Sequence, residues 1–258
     1  MGEGGERGQV EPPDDLRKDP FLRRVLDWAL RQEGLGAVIL AGSRARAGAS
    51  VDAASDYDLD IFVAEPARYG SSSEWLEEIA PVWVILPPSE SGEDGGRRVE
   101  RLAFFAGGLK ADIWIRPVEA LTDLAEGGLD DLYERGYAVL ADPSGLASRL
   151  PAPSGRSPHL RPPTDAALHD ICSEFWFEAA HIPAYLARDE LWVVKFRDGT
   201  MKRMLLRLVE WDALALRGPD ADVWHIGTHM REWAAPDVWD QLHRCYGRFD
   251  TEDSFAAF

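Results

Sequence analysis

The segment Ser55-Asp56-Tyr57-Asp58-Leu59-Asp60-Ile61-Phe62-Val63 is the part of this chain with the fewest ways to fold. Carboxylates alternate with apolar side chains, and in a β-strand residues two apart point to the same face. As a strand it projects Asp56, Asp58 and Asp60 side by side and turns Tyr57, Leu59 and Ile61 the other way. Carboxylates aimed at one point repel each other unless a cation lies between them. Hard oxygen donors at this spacing suit Mg²⁺, which binds through a few carboxylates and substrate phosphates. Upstream, Ala37-Val38-Ile39-Leu40 reads as an apolar strand and Gly42-Ser43-Arg44 as a small-residue turn after it. Such a turn brings backbone N–H groups and a hydroxyl close to a phosphate. Together these parts predict a site for a metal-bound nucleoside triphosphate. Alone, the alternating strand would read as a charged edge that blocks aggregation.

Gly-Ser, a spacer and Asp-x-Asp on the next strand resemble the signature of the polymerase-β-type nucleotidyltransferases, and the Ser43 to Asp56 spacing fits that pattern. The resemblance implies that Asp56 and Asp58 are metal ligands and that a third carboxylate lies on a later strand. Leu109-Lys110-Ala111-Asp112-Ile113-Trp114-Ile115 offers Asp112 for that place. An aspartate in such an apolar strand costs several kcal/mol if buried without a partner. A metal removes the cost, and pairing with Lys110 or Arg116 is the alternative. Asp60, deeper along its strand, reads as a supporting or substrate-side carboxylate. Gly42, Ser43 and Arg44 are the expected triphosphate contacts: Ser43 by hydroxyl and N–H, Arg44 or Arg46 by charge.

The second half carries a narrower likeness. Glu174-Phe175-Trp176, Tyr185-Leu186-Ala187-Arg188-Asp189-Glu190-Leu191 with Lys195, Leu206 to Trp211, and Trp224-His225-Ile226-Gly227 resemble the helical domain of streptomycin-type aminoglycoside 6-adenylyltransferases. The likeness spans roughly residues 21 to 250. It implies Mg²⁺-dependent transfer of AMP from ATP to a hydroxyl of a streptomycin-like aminoglycoside, the 6-hydroxyl, with release of pyrophosphate. Asp56, Asp58, Asp112 and Glu174 are then the catalytic set, with Asp56, Asp58 and Asp112 holding the metal. Glu174 faces the cleft, either as a general base activated by burial or as a ligand for a substrate ammonium. Lys195 reaches for the phosphates, or is a surface lysine on an amphipathic helix. Two other readings stand beside this one: a nucleotidyltransferase acting on another small molecule or a protein hydroxyl, and a non-catalytic nucleotide-binding regulator.

A formal net charge of −17 argues against a nucleic-acid partner, because gripping phosphates takes a basic surface. The same charge attracts polycationic small molecules. No apolar run approaches the ~20 residues of a membrane helix, and the N-terminus has no signal-peptide pattern. A cytoplasmic protein, monomeric or weakly dimeric, is expected. Cys172 and Cys245 are too few and too far apart for a disulfide framework and are expected to be reduced.

The expected fold class is α+β: an N-terminal nucleotidyltransferase mixed β-sheet with flanking helices, then a C-terminal α-helical bundle. The boundaries read as a flexible tail over 1–18, a nucleotidyltransferase domain over 19–141, a Pro-rich connector over 142–163, a helical substrate-binding domain over 164–250 and a tail over 251–258. Within them, helices are expected at 19–32, 73–79 and 117–127, with an extension over 129–136. Strands are expected at 36–41, 57–63, 82–86, 100–105 and 109–115. The C-terminal half reads as helical over 165–186 and 190–216, broken at Pro183 and Asp198-Gly199, and over 236–246. Trp176, Trp192, Trp211, Trp224, Trp233 and Trp239 are expected mostly to pack between those helices. His225 and His229 have a zinc-like spacing, but Gly227 lies between them, so they read as structural or cleft-lining.

Overall fold

Asp19 opens helix α1 (Pro20–Ala29) of the computed structural model, which describes residues 16, 18–46, 48–87, 98–156 and 160–257. Its Oδ1 accepts from the N–H groups of Phe21 and Leu22 at 2.8 and 3.0 Å, and Pro20 sits where a missing N–H costs nothing. Phe21, Leu22, Val25, Trp28 and Ala29 form its buried stripe, as the sequence pattern requires. Apart from Leu16 and Lys18, the tail expected over 1–18 lies outside the described residues.

The strands that follow are β1 (Leu35–Ala41), β2 (Tyr57–Val63), β3 (Val82–Ile85), β4 (Val99–Phe105), β5 (Leu109–Pro117) and β6 (Ala138–Ala141). Among the described residues they form one mixed sheet in the order β3-β4-β5-β2-β1-β6. Only the β2–β5 pair in it is parallel. Both faces are covered. Tyr57, Leu59 and Ile61 join α1 and Ile113 in one core. Ile39, Phe62, Leu121, Tyr133 and Val139 form the core on the other face, under α3 (Glu119–Gly127) and α4 (Asp131–Arg135). A one-turn helix, α2 (Gly42–Ala45), links β1 toward β2. The helix expected over 73–79 is a 3₁₀ segment, Glu74–Glu78. The extension over 129–136 is a separate helix because Gly128, at φ +97°, ends α3.

Two compact units, Met1–Arg156 and Ser157–Phe258, divide the chain. The stretch expected as an extended connector is partly packed: Ala147 and Leu150 are buried in the second core, around the 3₁₀ turn Ala147–Arg149. In the second unit, α5 (Asp165–Ala187) runs through Pro183 and α6 (Leu191–Arg217) runs through Gly199. The expected breaks fail for the same reason. A glycine costs a helix about 1 kcal/mol and a proline about 3, and tertiary burial outweighs both here. Ile182 and Leu186 pack with Val194 across the α5–α6 hairpin. Met201, Met204, Val209, Ala213 and Leu214 are buried beyond Gly199. After α7 (Met230–Trp233) and α8 (Pro236–Leu242), the segment expected as a C-terminal tail forms α9 (Thr251–Ala256). Asp250 caps it by accepting from the Asp253 N–H at 2.7 Å. Among the described residues no helix is long and apolar enough to cross a membrane.

Candidate active site

The parallel pairing of β2 with β5 sets Asp58 directly beside Asp112. Asp56 enters from the residue pair ahead of β2. Carboxylate oxygens of Asp56, Asp58 and Asp112 come within 4.8 Å of one another, all three half-buried. The face is the one the alternation predicts, with Asp58, Asp60 and Phe62 on one side of β2 and Tyr57, Leu59 and Ile61 on the other.

Concentrating three carboxylates disfavours the charge on the central one. Asp58 is pushed up from 3.8 to about 6, first by burial, then by the charges of Asp56 and Asp112, with Lys110 partly offsetting. Lys110 bridges the other two: its Nζ lies 2.9 Å from Asp56 Oδ2 and 2.9 Å from Asp112 Oδ2. The sequence pattern offers this lysine only as an alternative partner for Asp112, and its bridge to Asp56 emerges from the fold. Its spacing from Asp112, two residues back on the same strand, was the available signal. Asp112 Oδ1 is buried with no hydrogen-bond partner. A buried carboxylate oxygen left without a donor is costly, and an oxygen-seeking cation satisfies it. The residues present therefore fit a divalent metal: three oxygen donors, one of them orphaned.

The turn beside them is shaped by glycine. Gly42 has φ +67°, and a Cβ built on it would fall 1.8 Å from Asp58 Oδ2. Only a residue without a side chain lets β1 turn this close to the carboxylate. Ser43 follows in the first turn of α2, where the leading N–H groups of a helix have no intrahelical acceptor. Arg44 is engaged differently from the expectation. Its Nε donates to the carbonyls of Ser55 and Asp56 at 3.2 and 3.0 Å, and its Nη2 to those of Asp52 and Ser55 at 3.2 and 2.8 Å. The guanidinium also lies 3.9 Å from the centroid of the Tyr57 ring. The Tyr57 hydroxyl in turn donates to Asp19 Oδ2 at 2.9 Å. Arg44 thus clamps the loop that delivers Asp56.

Asp60 belongs to the core rather than to the cluster of Asp56, Asp58 and Asp112. It accepts from the Tyr133 hydroxyl at 2.7 Å and from Arg116 Nη1 at 3.4 Å. Arg116, expected as a possible partner of Asp112, is thereby assigned to Asp60. Burial pushes the Asp60 carboxyl up, and the facing Arg116 and the Tyr133 hydrogen bond oppose the rise. Tyr133→Phe keeps the ring and deletes that hydrogen bond, so we expect a loss of about 1–3 kcal/mol in urea unfolding. An unchanged unfolding midpoint would show that the bond contributes nothing to stability.

In the second unit Glu174 lies on α5 and is exposed, so the burial that would activate a general base is missing. Lys195, on α6, donates its Nζ to the Gly247 carbonyl at 2.7 Å within its own unit. Among the tryptophans expected to pack, Trp233 is buried at 4% exposure, whereas Trp176 and Trp192 are 69% and 79% exposed. His229 faces Glu232 at 3.3 Å and His225 belongs to no metal-like cluster among the described residues. Cys172 and Cys245 are free and half-buried.

A family model described as "Streptomycin adenylyltransferase" matches residues 17–258. The aminoglycoside 6-adenylyltransferase of Bacillus subtilis (strain 168) is 24% identical over 225 residues, which are 86% of this chain and 78% of that protein. The aminoglycoside 6-adenylyltransferase of Campylobacter jejuni is 22% identical over 228 residues, covering 86% and 76%. Among solved structures, an aminoglycoside 6-adenyltransferase from Bacillus subtilis superposes over 93% of this chain and 84% of its own, with a TM-score of 0.37 at 17% identity.

Proposed function

We propose that this chain, which belongs to the streptomycin adenylyltransferase family, transfers AMP from ATP to a hydroxyl of a streptomycin-like aminoglycoside and releases pyrophosphate. The observation that carries the reading is the convergence of Asp56, Asp58 and Asp112 within 4.8 Å beside the Gly42 turn. Bound by those three carboxylates, Mg²⁺ would stabilise charge on the phosphate oxygens and make the acceptor hydroxyl easier to deprotonate. The rest is the work of the chain. Gly42 leaves room for phosphate and carboxylate to approach the same point. Ser43 offers its hydroxyl and backbone N–H to the triphosphate. Arg44 holds the Asp52 to Asp56 loop through three carbonyls and keeps its charge beside the nucleotide site. A surface with a net charge of −17 draws in a polycationic acceptor.

The test is mass spectrometry of streptomycin and other aminoglycosides after incubation with the protein, Mg²⁺ and each of the four NTPs. An adenylylated streptomycin formed from ATP supports the reading. Modification of none of the aminoglycosides with any nucleotide would sink it.

Glu174 enters as the ligand of an acceptor ammonium, since its exposed position suits an ion pair better than a base. Glu174→Gln should then raise the KM for streptomycin about fivefold, the size of one exposed ion pair, and leave kcat and the KM for ATP near wild type. A fall in kcat with a shifted acidic limb of the pH–rate profile would assign it as the base instead.

A further inference from the structure

We infer that Lys110 is the resident counter-ion of the acidic centre and that a divalent metal must displace its ammonium in order to bind. The inference rests on the reading that Asp56, Asp58 and Asp112 hold the metal. Lys110 Nζ sits 2.9 Å from Asp56 Oδ2 and 2.9 Å from Asp112 Oδ2, so one ammonium spans two of the three carboxylates. The other oxygen of Asp112 is buried and takes no hydrogen bond. The lysine therefore offsets part of the repulsion among the carboxylates and leaves one oxygen unsatisfied.

The two cations want the same atoms on different terms. An ammonium donates hydrogen bonds at about 2.9 Å. Mg²⁺ needs oxygens at about 2.0–2.1 Å and carries twice the charge. Held between the same oxygens, the two would repel as like charges a few ångströms apart, which even partial exposure to water does not cancel. Metal entry is thus an exchange: the Lys110 side chain leaves Asp56 Oδ2 and Asp112 Oδ2 as the ion arrives. The lysine weakens binding of free metal and protects the metal-free protein from three clustered negative charges. Its four-carbon stem gives it the freedom to move without disturbing β5.

The experiment measures Mn²⁺ binding, without nucleotide, to the full chain by electron paramagnetic resonance and calorimetry. Wild type is compared with Lys110→Met, Lys110→Gln, Lys110→Arg and Asp112→Asn. We expect both neutral variants to bind Mn²⁺ about tenfold tighter than wild type or more, by removal of one positive charge from contact range, and Lys110→Arg to bind as wild type does. In EDTA both neutral variants should melt below wild type at neutral pH and regain the difference on adding Mn²⁺. Equal or weaker Mn²⁺ binding by both neutral variants would overturn the inference, while loss of binding in Asp112→Asn upheld the metal site itself. Binding of Mn²⁺ by none of the proteins would remove the metal reading and the exchange with it.

Discussion

Asp58→Asn is expected to lower kcat at least about a thousandfold, the scale of losing a group that stabilises transition-state charge, while making the metal-free protein more stable at neutral pH. The two effects have one origin. Asparagine keeps the size of the side chain and removes the charge that the proposed chemistry needs and the metal-free fold resists. Unfolded, Asp58 ionises near 3.8; folded, it holds its proton up to about 6, because burial and the neighbouring carboxylates disfavour the charge. Between those values the folded state binds more protons than the unfolded state, so stability falls as pH rises. The contribution is fully present below the unfolded value and is lost as pH passes the folded one. Above about pH 6, then, the wild-type fold carries a carboxylate in a place that opposes it. The asparagine variant is relieved of this by about 1–3 kcal/mol. Melting curves in EDTA at pH 4, 6 and 8 should show the variant above wild type at pH 8 and the two converging at pH 4. Adding Mg²⁺ should raise wild type and leave the variant where it was. A variant that melts below wild type at pH 8 in EDTA, or that turns over normally, would refute the assignment of Asp58.

Gly42→Ala is the second large effect expected, and it reaches the same carboxylate from the other side. The new Cβ would lie 1.8 Å from Asp58 Oδ2, 2.7 Å from its Cγ and 3.2 Å from its Cβ. No rotamer of alanine relieves this, since the methyl direction is fixed by the backbone. The φ of +67° adds a left-handed strain of about 1–2 kcal/mol for any L side chain. Asp58 has to swing out of the cluster, and a misplacement of about 1 Å in a reacting constellation costs on the order of a hundredfold in rate. We expect kcat to fall by at least about that factor, with a stability loss of about 1–3 kcal/mol from overpacking. Gly108→Ala is the control. Gly108 has φ +80° and nothing within 4 Å of an added Cβ, so it carries strain without collision. If Gly42→Ala lowers kcat no more than Gly108→Ala does, the close approach to Asp58 has no functional weight.

What could be read from the sequence follows from how locally each feature is determined. The face of β2 is set by a period of two, which allows one arrangement only, and the structure shows it. The cap at Asp19 and the buried stripe of α1 were likewise local and legible. β6 was not: Ala138–Ala141 is too short to show alternation, and what makes it a strand is antiparallel pairing with β1, far away in sequence. Pro183 and Gly199 misled because propensity is a weak prior against an α5–α6 packing face. Within the site, the three carboxylates that converge were visible because alternation on β2 and an aspartate inside an apolar strand are local features of the sequence. Arg44 was harder to read. An arginine after a Gly-Ser turn reads as a phosphate ligand, and only the fold of the Asp52 to Asp56 loop reveals backbone carbonyls in its reach. The tryptophans of the second half gave a false picture of a packed core, since side-chain size signals burial only on average, and Trp176 and Trp192 face outward.

The register that sets Asp58 beside Asp112 also bears on the order in which the molecule can assemble. The two strands are parallel neighbours, yet β3 and β4 intervene between them in the chain. Such a pairing closes a long loop before its contacts repay the entropy, so it forms late relative to hairpins. Until then Asp56 and Asp58 stand as two carboxylates with no third, and an approaching Asp112 by itself would be repelled. β5 does not approach with Asp112 alone. Lys110 travels on the same strand face, and in the folded protein it has come to rest between Asp56 and Asp112. The strand that brings the third carboxylate therefore arrives with that carboxylate's charge already matched by a lysine on its own face. Docking of β5 on β2 is thereby spared the repulsion that an unpaired Asp112 would bring, before any cation from solution is bound.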